Sequence, residues 1–159
     1  MKIMIAMRVE VQRLLDERVM DHRVAIISIT DTTKDVVKFD VEKHSCMFLP
    51  VAFHDLDKPE PGPGMMLITD EISDNIARFV DEAVENNVKV LLIHCTAGVS
   101  RSPGVGAAVS QFYFGESGDY FKRYVPNMLV YRKVLEALHR GSRDGRRKGD
   151  DKKSGDRVR

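Results

Sequence analysis

Apolar residues along this chain fall into short runs and helical stripes that follow one another in a regular way. Lys2 to Met7 alternates weakly and predicts a first strand, and from Val9 to Met20 the residues Val11, Leu14, Leu15 and Val19 recur at helical spacing. Val24 to Ile29 is a second strand. Asp31, Thr32 and Thr33 supply turn chemistry, Val36 to Phe39 fits a short edge strand, and Cys46 to Phe53 fits a further strand. The opening therefore reads β-α-β-β-β.

A loop must follow, because Lys58 to Gly64 (KPEPGPG) alternates proline with residues that cannot sustain regular structure. Beyond it, Thr69 or Asp70 can cap a long helix in which Ile72, Ile76, Phe79, Val80, Ala83 and Val84 share one face, ending at Asn86 and Asn87. Val88 to Ile93 is a short apolar run of the kind found in a strand covered on both faces. Three more helices are predicted: Pro103 to Phe114, rich in small residues that permit close packing; Asp119 to Tyr124; and Met128 to Leu138, with Leu129, Val130, Val134, Leu135 and Leu138 inward. This order predicts an α/β domain with a central, mainly parallel sheet flanked by helices.

Composition narrows the class. With 159 residues and 43% hydrophobic content, one domain with a substantial core is expected. Net charge is +1, but Gly141 to Arg159 carries eight Lys/Arg and four Asp, leaving the body mildly negative. That balance disfavours nucleic acid as a partner, and the tail is expected to be a basic, solvated, disordered segment. No apolar run approaches the ~20 residues of a membrane span, and the N-terminal apolar run is too short for a signal peptide. A cytoplasmic protein with no membrane partner is expected. Two cysteines make no disulfide framework, so a reducing compartment fits. Oligomeric state is not legible.

The chemistry sits where the central strand ends. In VKVLLIHCTAGVSRSPGV, the strand runs into His94 and Cys95, a five-residue loop of Thr96, Ala97, Gly98, Val99 and Ser100 follows, and then come Arg101, Ser102 and Pro103, which suits the first turn of a helix. A loop wrapped onto a helix start directs backbone N–H groups into one small space where the helix dipole is positive, a space that holds a phosphate-sized dianion. Such a field lowers a thiol pKa from about 8.5 to roughly 3.5–7.5, making Cys95 a candidate nucleophile. Arg101 adds a planar fork that can bind two phosphate oxygens.

His94-Cys95-x5-Arg101-Ser102 resembles the signature of the cysteine-dependent protein tyrosine phosphatase superfamily. The resemblance implies a phosphatase domain over residues 1–140, with 141–159 as the tail. It makes Cys95 the nucleophile of a phosphocysteine mechanism, and Arg101 with the 96–100 backbone the phosphate cradle. Ser102 becomes the hydroxyl that helps the thiolate leave, and His94 a residue that orients the loop by hydrogen bonding. Neither a metal nor an organic cofactor is implied. The family's general acid must lie upstream of the long helix, where Val51 to Asp57 (VAFHDLD) offers two aspartates. Strand alternation through Val51 and Phe53 favours Asp55, with Asp57 the alternative. Both can equally be turn residues before the proline loop, and His54 beside them raises a metal site as a weaker idea.

Tyr124-Val125-Pro126-Asn127 resembles the Pro-Asn element of compact dual-specificity phosphatases, where the Asn supports the phosphate loop; Asn127 also fits as a plain N-cap. The expected substrate is a phosphorylated protein, phosphotyrosine favoured, because a chain this short has no room for large recognition insertions and no lysine lies in the loop. A phosphate-binding pseudophosphatase and an RNA 5′-phosphatase are the alternatives. The resemblance also leaves open a protective disulfide between Cys95 and Cys46.

Overall fold

A computed structural model describes residues 1–153 apart from Pro59, with the backbone alone for 143–153. The chain runs β1 (Lys2–Met7), α1 (Arg8–Glu17), β2 (Val24–Thr30), β3 (Met47–Ala52), α2 (Asp70–Glu85), β4 (Val90–Cys95), α3 (Arg101–Phe114), α4 (Gly118–Arg123) and α5 (Met128–Lys153). The four strands form one sheet in the order β1-β4-β2-β3, every pair parallel. Helices cover both faces, as parallel strands buried on two sides require.

On the larger face, Ile27, Ile29, Leu91, Ile93 and Cys95 pack with Ile76, Phe79 and Val80 of α2, Val105 and Val109 of α3, and Val134 and Leu138 of α5. On the smaller face, Ile26 and Leu92 pack with Val11 and Leu15 of α1. β4 and β2 are thus the strands on which both cores meet. Its C-terminal end lies between β1 and β2, with Met7 beside Cys95 and Ser28 beside His94 in register. In open α/β sheets, ligands bind beyond the C-terminal ends of the strands.

α2 forms because Thr69 accepts the Ile72 N–H at 3.2 Å and Asp70 and Glu71 sit in the positive first turn. Asn87, at φ 56°, turns the chain out of it in the left-handed conformation. Salt bridges from Lys133 to Asp70 and from Arg140 to Asp74, both at 2.7 Å, tie α5 along its outer side. α3 reaches close to its neighbours because Gly104 has no side chain: a Cβ there would lie 2.9 Å from the Asn127 carbonyl oxygen and 3.2 Å from Val130.

Several boundaries differ from the pattern-based expectation, each for a local reason. β4 begins at Val90 instead of Val88, because the Val88 N–H closes the end of α2 on the Ala83 carbonyl. It also extends through His94 and Cys95, so both belong to the sheet. α1 stops at Glu17, where Lys43 Nζ donates to the Leu15 and Asp16 carbonyls, and Val19 is left exposed. No strand forms at Val36 to Phe39. There the Lys38 backbone pairs with the Gln12 side chain, Val37 is buried, and Phe39 stacks on Phe48 with centroids 4.2 Å apart.

α5 continues past Leu138 and through the expected boundary at 140/141 to Lys153. Arg and Lys are good helix formers, and no proline follows Pro126. The rest of the expected tail, residues 154–159, lies outside the described residues. Among the described residues no helix is long and apolar enough to cross a membrane.

Candidate active site

The site is built at the end of β4. Cys95, the last residue of the strand, is 3% exposed, and the chain then turns through Thr96–Ser100 into α3. The turn is possible because Gly98 adopts φ +68°, with its Cα so close to β1 that a Cβ would lie 2.9 Å from the Ala6 carbonyl oxygen. The loop's carbonyls face outward. That of Thr96 accepts from the Arg8 N–H at 3.5 Å, that of Val99 from Val125 at 3.2 Å, and that of Ser100 from Gly104 and Asn127, both at 3.0 Å. The N–H groups of residues 96–100 donate to no backbone carbonyl among the described residues. Carbonyls bonded away and amides free of backbone partners is the polarity an anion, or the Cys95 thiolate that Gly98 faces, needs.

Ser102, fully buried in the first turn of α3, donates its hydroxyl to Cys95 Sγ at 3.2 Å. Burial pushes the Cys95 thiol up. The Ser102 hydroxyl and backbone N–H, the Gly98 N–H and the Arg101 charge outweigh it, and the thiol ends below the ordinary thiol range. The other cysteine behaves oppositely: burial raises Cys46 to about 11. Cys46 is the residue just before β3, level with Val24 and Val90, so Cys95 lies five residues further along the strand direction. At ~3.3 Å per residue that is about 16 Å, far beyond disulfide reach. The two cysteines are free, and the Cys46–Cys95 pairing is excluded.

Arg101 is 4% exposed and held from two directions. Its Nη1 donates to Asp31 Oδ1 at 2.6 Å and to the Phe53 carbonyl at 2.7 Å, while Nη2 reaches Thr96 Oγ1 at 3.3 Å. Its Nε is buried without a partner. Asp31 is thus part of the site, although the sequence marks it only as a turn residue. The available signal was its position at the C-terminal end of β2, the strand beside β4.

The two candidate acids separate clearly. Asp55 Oδ1 accepts from the Ser100 hydroxyl and from Asn127 Nδ2, both at 2.8 Å, which lays this carboxylate over the loop. Asp57 is exposed and makes no hydrogen bond or ion pair among the described residues. Asn127 caps α5 as expected, but its side chain holds the loop of Asp55 instead of the phosphate loop, which it touches only through its backbone N–H on the Ser100 carbonyl. Its Oδ1 caps α5 by accepting the Val130 N–H at 3.0 Å, and its Nδ2 holds Asp55 and the Leu56 carbonyl, the latter at 3.0 Å.

His94 is fully buried, and burial lowers it to about 4, so it is neutral near pH 7; the Cys95 backbone opposes the shift and the charge of Arg8 adds to it. Neither ring nitrogen has a hydrogen-bond partner, so the expected orientation of the loop by a His94 side-chain bond is not what this geometry provides. The ring instead packs in the sheet beside Ser28 and Ala6 in register. His54 is not a ligand in waiting either: its Nδ1 accepts the Met66 N–H at 2.9 Å.

With this arrangement in view, the chain has the fold of the compact tyrosine and dual-specificity phosphatases. It is similar to the Cydia pomonella PTP-2 phosphatase, at TM-score 0.55 and 16% identity over 85% of this chain and 84% of that one. The DUSP15 structure is similar at TM-score 0.53 and 16% identity, with 94% and 90% covered. The human tyrosine phosphatase-like serine/threonine/tyrosine-interacting protein is similar at TM-score 0.51 and 21% identity, with 82% and 83% covered. No protein-family model matches the chain, and no curated protein sequence matches it.

Proposed function

We propose that this protein hydrolyses phosphomonoesters through a phosphocysteine intermediate, with phosphorylated protein as substrate and phosphotyrosine preferred. The observation that carries the reading is the Ser102 hydroxyl 3.2 Å from a Cys95 thiol held below its ordinary range, in a loop whose N–H groups donate to no backbone carbonyl. The Cys95 thiolate attacks phosphorus in line, forming the S–P bond as the bond to the leaving oxygen breaks. Asp55, through the carboxyl oxygen that Ser100 and Asn127 do not occupy, gives a proton to the leaving oxygen. Asp55 then takes a proton from water, the water oxygen attacks phosphorus, and the S–P bond breaks to return the thiolate to the Ser102 hydroxyl. Arg101 and the loop amides stabilise the equatorial oxygens throughout.

Preference for an aryl phosphate is supported by what surrounds the mouth. Val99, Val125, Met128, Met65 and Met66 are exposed. The first three are tied to the loop through the Val125–Val99 bond and the Asn127 turn, and the methionines follow the loop that carries Asp55. A collar of this kind favours an aromatic ring and apolar flanking residues over a polyanionic head group.

The test is Cys95→Ser. Turnover of an aryl phosphate is expected to fall by about 10⁴-fold or more while vanadate or phosphate binding survives; full activity in this variant overturns the mechanism. A second reading, a phosphate-binding protein without turnover, draws on the similarity to a phosphatase-like interacting protein. It is the outcome if the unaltered chain binds phosphate and hydrolyses nothing.

A further inference from the structure

The loop that carries Asp55 is closed at its neck by one side chain. His54 grips the backbone of Met66 on both sides: its N–H donates to the Met66 carbonyl at 2.8 Å, and its Nδ1 accepts the Met66 N–H at 2.9 Å. Between them runs the loop that carries Asp55 and ends at Met65, with Pro61 and Pro63 stiffening its second half. Inside the neck the Leu56 N–H folds back on the His54 carbonyl at 3.0 Å, and Met65 turns onto Gly62 at 3.1 Å. Asp55 is therefore one peptide unit from the neck on one side, and is fixed to Ser100 and Asn127 on the other.

We propose that His54 is the positioning residue for Asp55: its neutral imidazole, protonated on Nε2 and bare on Nδ1, holds the neck shut and sets where the acid delivers its proton. This rests on the role of Asp55 given above. The chemistry is specific to an acceptor at this point. Nδ1 is bonded to Cγ and accepts a backbone N–H, so a protonated Nδ1 or an apolar ring leaves that N–H without its partner. Asparagine offers an oxygen on the same Cγ; glutamine places its oxygen one bond further out. An acid displaced by about 1 Å costs on the order of 10²-fold in rate, and it costs most where the leaving group needs its proton.

The experiment compares the unaltered protein with His54→Phe, His54→Asn and His54→Gln on phenyl phosphate and p-nitrophenyl phosphate. His54→Phe and His54→Gln are expected to lower kcat on phenyl phosphate by about 10- to 100-fold, with a much smaller loss on p-nitrophenyl phosphate and little change in KM. His54→Asn is expected to recover most of the rate. Equal losses on both substrates, or an Asn variant no better than Phe, overturn the assignment. A readout free of turnover accompanies it: proton exchange at the Met66 amide and the Asn127 side-chain amide, by NMR. Both are expected to exchange faster in His54→Phe and to stay protected in His54→Asn. Unchanged protection at Asn127 in His54→Phe overturns the proposal even if the protein hydrolyses no phosphate, whereas lost protection upholds it independently of the phosphatase reading.

Discussion

The proposed nucleophile and the proposed acid are held in different ways. Cys95, Arg101 and Ser102 lie on one contiguous segment, nearly or fully buried, between a strand that contributes to both cores and a helix packed against α5. Asp55 is exposed on a loop, and what places it are side-chain bonds to Ser100 and Asn127, residues 45 and 72 positions away. The first region is positioned by the folding of the domain itself. The second is positioned by a few hydrogen bonds of modest individual worth, about 1 kcal/mol each. Catalytic geometry can therefore be lost at the acid without loss of the fold, and not easily at the nucleophile.

Substitutions sharpen or break that contrast. The largest effect is expected from Asp55→Ala, which should lower kcat on a poor leaving group by about 10²- to 10⁴-fold while the melting curve barely moves. Asp57→Ala should stay close to the unaltered protein. A greater loss in Asp57→Ala than in Asp55→Ala, measured on the same pair of phosphates, reverses the acid assignment.

Next comes Ile93→Ala in β4, a fully buried side chain, expected to cost about 2–5 kcal/mol in denaturant unfolding. A loss under 1 kcal/mol would show that the nucleophile region is not fixed by the core. Asp31→Asn removes the charge that holds Arg101 and is expected to lower kcat/KM about 10- to 100-fold, read by steady-state kinetics with vanadate affinity as a companion.

The smallest effect concerns ionisation. The Ser102 hydroxyl stabilises the thiolate, so Ser102→Ala should raise the Cys95 pKa. At a given pH less thiolate is then present, and the midpoint of iodoacetate alkylation should move to higher pH. A midpoint that stays or falls would remove Ser102 from the account.

The same contrast explains what could be read from the sequence. The β4 strand, the loop and α3 were legible because their signals are local: an apolar run, then chemistry at fixed offsets. The resemblance narrowed the acid to two aspartates and strand alternation favoured Asp55, while the contacts with Ser100 and Asn127 are what distinguish it from Asp57 in the fold. Asp31 was invisible as a site residue because its partner, Arg101, lies 70 positions on. The stretch Val36 to Phe39 looked like a strand because Val37 does become buried and Val36 and Phe39 half-buried. They do so as irregular chain, with Gln12 taking the hydrogen bonds a sheet would have supplied. His94 was expected to act through hydrogen bonds, and its burial without partners is a property no sequence pattern announces.

The hydrogen at Gly104, where every other residue but glycine carries a carbon, acts as a spacer gauge for the whole site. The gap it leaves is filled by the Asn127 carbonyl, and the same Asn127 carries the amide that holds Asp55. One added methyl at the buried end of α3 would have to be accommodated by lifting the start of α5, and the acid would be carried with it. The distance between nucleophile and proton donor is in this sense set on the far side of the helix from the substrate, by an atom that is not there.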